Sequence, residues 1–128
     1  MKLLRAWGPV VVWMILIFVL SGRQSISVAT DYWLNFLFFK SLHVLEYAIL
    51  YVLTFRATHN FALSFMIVVL YGASDEFHQT FIPTREGRVR DVIIDTLGAI
   101  IAWIFITTLL PKSPKKLRAW VRSWLSIW

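Results

Sequence analysis

Cysteine is absent from this chain, which excludes disulfides, thiolate metal sites and cysteine nucleophiles and leaves the redox compartment unspecified. Charge is also scarce: only 16% of the 128 residues are Asp, Glu, Lys or Arg, against 59% hydrophobic and 16% aromatic. A soluble domain of this size would need a far more polar surface. Acid is scarcer still, with seven Asp and Glu against thirteen Lys and Arg, a formal net charge of +6. Such a balance is compatible with nucleic acid, but the basic residues flank long apolar runs, so anionic lipid is the expected partner and nucleic acid is not. With mean hydropathy of +0.68, the composition describes a small integral membrane protein. The length allows one membrane domain and little else.

The apolar runs predict an all-α membrane bundle of four helices over residues 1–110, followed by a separate tail over residues 111–128. The first run, Leu3 to Leu20, is interrupted only by Arg5 and Gly8-Pro9, and Pro9 is tolerated if it lies near the helix start. Lys2 and Arg5 before an apolar core resemble a signal peptide, but Leu20-Ser21-Gly22 is a poor cleavage site, so the segment is expected to stay as a membrane helix. Residues 21–32 form a polar, Ser-rich connection. Trp33 to Phe39 is too short to span and reads as interfacial. The second span, Ser41 to Phe55, is itself short for a bilayer that needs about 20 residues, so it is expected to extend back through that piece. A brief loop ending in His59 and Asn60 predicts an antiparallel hairpin with the third span, Phe61 to Phe77. The fourth span runs from Val89 to Leu110 and stops at Pro111, with Gly98 and Ala102 one turn apart as a small-residue packing face.

In the tail, Leu117, Trp120, Val121, Trp124, Leu125 and Trp128 share one helical face, opposite Lys115, Lys116, Arg118 and Arg122. That pattern predicts an amphipathic helix lying on an anionic leaflet. With four spans, Lys2, Arg5, Arg56, Lys112, Lys115, Lys116, Arg118 and Arg122 fall on one side, and Arg23, Lys40, Arg85, Arg88 and Arg90 on the other. The positive-inside rule then puts both termini in the cytoplasm.

Between the third and fourth apolar runs lie Asp75, Glu76, His78, Arg85, Glu86, Arg88, Arg90, Asp91 and Asp95. Ionisable groups in membrane segments are costly and tend to mark function. The topology brings His43 and Glu46 to the same end as these residues, which predicts a single site. Helical spacing agrees: His43, Glu46 and Tyr47 share a face, as do Tyr71, Ser74, Asp75 and His78, and again Asp91, Asp95 and Gly98. A histidine beside carboxylates can act as general base or nucleophile, and arginines match phosphate oxygens with a planar fork. The expected roles are His78 as base or nucleophile, Asp75 and Asp95 as its orienters or metal ligands, Arg85 and Arg88 as a phosphate clamp, and His43 and Glu46 completing the acid–base set. A divalent metal (Mg²⁺, Mn²⁺ or Zn²⁺) held by Asp75, Glu76, His78, Asp91 and Asp95 is the rival chemistry, although no diagnostic metal motif is present.

The string D-E-x-H-Q-x-F-x-P-x-R from Asp75 to Arg85, followed by RDVIIDTLGAI, resembles the signature of the VanZ-like family of bacterial membrane proteins. Lys40, His43 and Tyr47 resemble that family's upstream motif, so the likeness covers residues 40–102. The chain departs from the pattern at Thr84, where many members carry Gly, and at Phe39, where many carry an acid. The resemblance implies a four-helix domain in the bacterial plasma membrane, linked through the family's founding member to low-level teicoplanin resistance. It also implies kinship with proposed membrane enzymes acting on lipid headgroups or lipid-carrier-linked substrates. Carried over by motif, the functional candidates are His43, Glu46, Asp75, Glu76, His78, Gln79, Arg85, Asp91 and Asp95, with Lys40 and Tyr47 from the upstream motif.

The expected function is therefore phosphoester cleavage or headgroup exchange on an outer-leaflet lipid or lipid-linked wall precursor. A non-enzymatic binder that shields such a precursor or a glycopeptide antibiotic needs the arginines but no His–Asp geometry. A proton- or ion-coupled transporter would use the same groups as relays, yet no polar path continues toward Arg56.

Overall fold

The computed structural model describes residues 1–23, 30–83 and 87–125; Thr84, Arg85, Glu86 and Trp128 lie outside the described residues. The described chain is all-helical: α1 (Lys2–Ser21), α2 (Tyr32–Thr58), α3 (Phe61–Gln79), α4 (Val89–Ile104) and α5 (Lys115–Leu125). Between α4 and α5 the helix continues through a π-helical turn, Phe105–Leu109, and a 3₁₀ turn, Leu110–Lys112.

Each helix starts and stops for a local reason. The Asp31 side chain accepts the Trp33 N–H at 2.7 Å and caps α2, and Asn60 Oδ1 accepts the Leu63 N–H at 2.9 Å and caps α3. His59 adopts φ 52° after α2 and returns its N–H to the Phe55 carbonyl, so α2 and α3 turn back on each other within two residues. As the shortness of the second span required, α2 extends back through Trp33 to Phe39, which form its first part, and its 27 residues reach about 40 Å. Pro9 also differs from expectation, because α1 begins at Lys2 and Pro9 falls inside it. Having no N–H, it leaves the Arg5 carbonyl without its usual intrahelical donor.

Packing centres on α2, which lies against α1, α3 and α4, while α3 also meets α1 and α4. The buried contact is made by Val10 and Ile17 of α1, Tyr47, Leu50 and Tyr51 of α2, Val68 of α3, and Ala99 and Ala102 of α4. The small face expected on α4 is in contact: a Cβ on Gly98 would strike the Val44 carbonyl and come within 2.9 Å of the Ala48 nitrogen. Only glycine lets these two backbones pass so closely. Indole and phenol groups tie α1 to its neighbours, since Trp13 Nε1 donates to the Glu46 carbonyl at 2.9 Å and Tyr71 Oη to the Met14 carbonyl at 2.5 Å.

Outside this core the helices expose large apolar side chains, among them Val12, Ile15, Met66, Leu70, Ile93 and Ile101. An apolar surface of that extent marks contact with something other than water. Among the described residues, Lys2–Ser21, Tyr32–Thr58 and Val89–Lys112 are long and apolar enough to cross a membrane. Helix α3 is not among them, because its last turns carry Asp75, Glu76 and His78.

Candidate functional site

The end of α1, the first half of α2, the end of α3 and the start of α4 meet at one end of the molecule, and the polar side chains meet there too. Asp75 of α3 is 1% exposed and is the most heavily bonded group. Ser21 Oγ, from the last residue of α1, donates to its Oδ1 at 2.5 Å. Gln79 Nε2 donates to its Oδ2 at 3.2 Å, and Tyr47 Oη from α2 lies 3.4 Å from the same oxygen. Three donors on three helices hold this carboxylate, so its position is fixed by structure rather than by solvent.

Asp95 of α4 is 2% exposed and faces His43 of α2, with Nδ1 of the imidazole 3.3 Å from Oδ1. The two are close enough to pair but poorly aligned for a hydrogen bond, and neither Asp95 oxygen has a hydrogen-bond partner among the described residues. Gly72 of α3 makes room for the pair, since a Cβ there would come within 3.3 Å of the Tyr47 ring and 3.8 Å of Asp95 Oδ2. Closer to the helix end, Lys40 Nζ pairs with Asp91 Oδ2 at 2.8 Å. Asp91 sits in the first turn of α4, where the helix dipole favours a negative group.

Glu76 accepts the Arg88 N–H through Oε2 at 3.1 Å, and its Oε1 is buried without a hydrogen-bond partner. Gly87 completes this link: a Cβ there would collide with the Glu76 carbonyl and the Thr80 methyl, so the chain entering α4 is pressed onto the last turns of α3. Buried unpaired acceptors are rare and costly, about 1–3 kcal/mol each. Here Glu76 Oε1, Asp91 Oδ1 and both Asp95 oxygens are gathered at one end of the fold.

His78 occupies a different position from the one its sequence spacing suggests. Its ring stacks on Phe18 of α1, with centroids 4.1 Å apart and planes 24° from parallel, and its buried Nδ1 has no hydrogen-bond partner. The carboxylates expected to orient it are engaged elsewhere: Asp75 by Ser21, Gln79 and Tyr47, and Asp95 by His43. Glu46 lies one turn from His43 and is half-buried. Arg88 contributes its backbone N–H, while its side chain is exposed. Arg90 rests over the Phe36 ring at 5.2 Å with Nε 3.7 Å from Asp91. Arg85 falls outside the described residues.

The metal alternative fits this arrangement poorly. Among the described residues no three His, Asp or Glu side chains gather as a ligand set, because the carboxylates are divided among Lys40, His43 and the Ser21–Tyr47–Gln79 group. Ser21 was not anticipated as a site residue. Its only sequence signal was its place at the end of the first apolar run, and its partner lies 54 positions away.

A helical protein whose buried polar side chains pack together as a polar chamber at one end of an apolar surface is a membrane-protein design, and the motifs that supply those side chains belong to a recognised group. The VanZ/LLP1 family model matches residues 6–110, and the chain belongs to that family. No curated protein and no solved structure matches the chain.

Proposed function

We propose that α1 to α4 form a four-span bundle in the plasma membrane, with both termini cytoplasmic and the polar chamber at the outer face. We further infer that it acts on a phosphate-containing headgroup, carried by an outer-leaflet lipid or a lipid-linked wall precursor. The observation that carries this reading is the buried His43–Asp95 pair, an imidazole and a carboxylate from two helices at 3.3 Å. Asp95 orients the ring and stabilises it once protonated. His43 takes a proton from an attacking water or alcohol, the nucleophile adds at phosphorus, and the leaving oxygen receives a proton from His78 or Glu76. Lys40 and Arg88 are the cations for a phosphate in this scheme, and Arg85 is assigned the same role from its place in the motif alone. In this scheme α5 lies on the anionic inner leaflet and has no part in the chemistry.

The test is lipid mass spectrometry on cells carrying the wild type or the His43→Ala, Asp95→Asn or His78→Ala variant at matched membrane abundance. Loss of a general base lowers turnover by roughly 10²-fold or more, which would appear as accumulated substrate lipid. Unchanged lipid profiles in well-inserted His43→Ala and Asp95→Asn proteins would refute the enzymatic reading.

A further inference from the structure

Beyond the Gly98 contact, on the side away from the polar chamber, α2 and α4 border an apolar groove of about 350 Å³. Its walls include Ala48 and Val52 of α2, Ile101 and Ala102 of α4, Phe105 of the π-helical turn, and Trp124 of α5. The groove has a structural origin. Gly98 clamps α2 and α4 together at Val44 and Ala48, and one turn further along the small side chains of Ala48 and Ala102 no longer fill the gap. Trp124 closes its base and is held there by Arg56, whose Nε donates to the Trp124 carbonyl at 3.2 Å and whose guanidinium lies 4.7 Å from the indole centroid.

The charge around this groove is of one sign. All seven acids lie at positions 31, 46, 75, 76, 86, 91 and 95, so residues 47–74 and 96–128 contain none. Those same stretches hold Arg56, Lys112, Lys115, Lys116, Arg118 and Arg122. Lys112, Lys115 and Lys116 are exposed. An apolar slot in an acid-free part of the chain, with exposed lysines at the start of α5, is complementary to a molecule with an apolar chain and an anionic head.

We propose that this groove binds one acyl chain of an anionic phospholipid, whose headgroup phosphate rests on the cations at the start of α5. The lining offers no polar side chain to a soluble ligand. A second copy of the chain would bring the same positive end against this one, which disfavours a dimer through this face. The site is distinct from the polar chamber, and it rests on the membrane reading above only for its assignment to the inner leaflet. Binding there pins α5 against α2 and α4, so the tail is seated by a particular lipid as well as by the leaflet as a whole.

The test uses the full-length chain in vesicles of phosphatidylcholine and phosphatidylglycerol, with a photoactivatable diazirine in the acyl chain of one or the other. Adducts are mapped by peptide mass spectrometry. With the phosphatidylglycerol probe, adducts should concentrate on residues 48–53 and 101–105, exceeding the phosphatidylcholine probe by roughly fivefold for each basic residue engaged. Ala102→Phe, which fills the groove, should remove those adducts while leaving labelling at Met66 and Leu70 of α3 unchanged. Labelling spread evenly over all exposed apolar faces would overturn the proposal. So would equal adducts from both probes, or copy-to-copy cross-links at residues 48–53. If Ala102→Phe fails to insert, the wild-type adduct map decides alone. Headgroup turnover is read separately through His43, so loss of selective labelling with intact turnover would sink this site and spare the enzymatic reading.

Discussion

Ser21 Oγ donates to Asp75 Oδ1, so the last residue of α1 anchors the most heavily bonded carboxylate of the chamber. The first helix is thereby part of the site as well as of the packing. Ser21→Ala leaves that oxygen unpaired in a buried setting, which costs about 1–3 kcal/mol. Thermal unfolding in detergent should show the loss. In a double-mutant cycle with Asp75→Asn the two effects should be non-additive; simple additivity would mean the pair is not coupled.

The His43–Asp95 pair predicts matched phenotypes. His43→Ala and Asp95→Asn should each reduce turnover by roughly 10²-fold, and the double variant should be little worse than either, because both remove one acid–base unit. A double variant that loses the product of the single effects would show that the two residues act independently.

Close approach at Gly98 sets the spacing of that pair. Gly98→Leu must push α4 away from Val44 and Ala48, and overpacking of this kind costs about 1–3 kcal/mol. Activity should fall further than stability explains, since the His43–Asp95 distance depends on the same contact. Fluorine or cross-linking distance measurements between α2 and α4 in the variant would check this.

Membrane orientation is open to a direct assay because the chain has no native cysteine. Thr80→Cys, at the exposed end of α3, should react with an impermeant maleimide in intact cells, and His59→Cys only after permeabilisation. The reverse pattern would place the chamber in the cytoplasm and remove outer-leaflet substrates from consideration.

Arg56 holds the tail through Trp124, so Arg56→Leu should release α5 without unfolding α1 to α4. Limited proteolysis should then cut between Ser113 and Lys116 faster than in the wild type. Unchanged protection would mean that the leaflet alone retains the tail.

Much of this architecture was legible from local pattern. Asn60 and His59 announced the α2–α3 turn, Gly98 and Ala102 marked the α4 packing face, and the spacing of Leu117, Val121 and Leu125 described one face of α5. The convergence of His43, Asp75, Glu76, Asp91 and Asp95 followed from counting helices. What pattern could not supply was pairing within the cluster. Spacing alone put Asp75 one turn from His78, but side-chain direction depends on how each helix is rotated against its neighbours, and that rotation is set by contacts such as Gly98 on Val44. Ser21 was hidden for the same reason. Trp33 to Phe39 looked separate because hydropathy dips at Lys40 and Ser41, whereas the hydrogen-bonded helix continues through both.

The π-helical turn at Phe105–Leu109 decides where along this helix a change of chain length is tolerated. A π turn accommodates one residue more than the regular helix it interrupts. Deleting one residue from it would remove the residue it absorbs and leave the tail in place, whereas a residue deleted from the regular part of α4 would swing everything beyond by about 100° around the helix axis. Trp124 would then leave Arg56, the groove would lose its base, and the cations of α5 would face another direction, although no residue in any of these contacts had been altered. Loss of a residue is therefore absorbed at this turn, and anywhere earlier in α4 it repositions the whole tail.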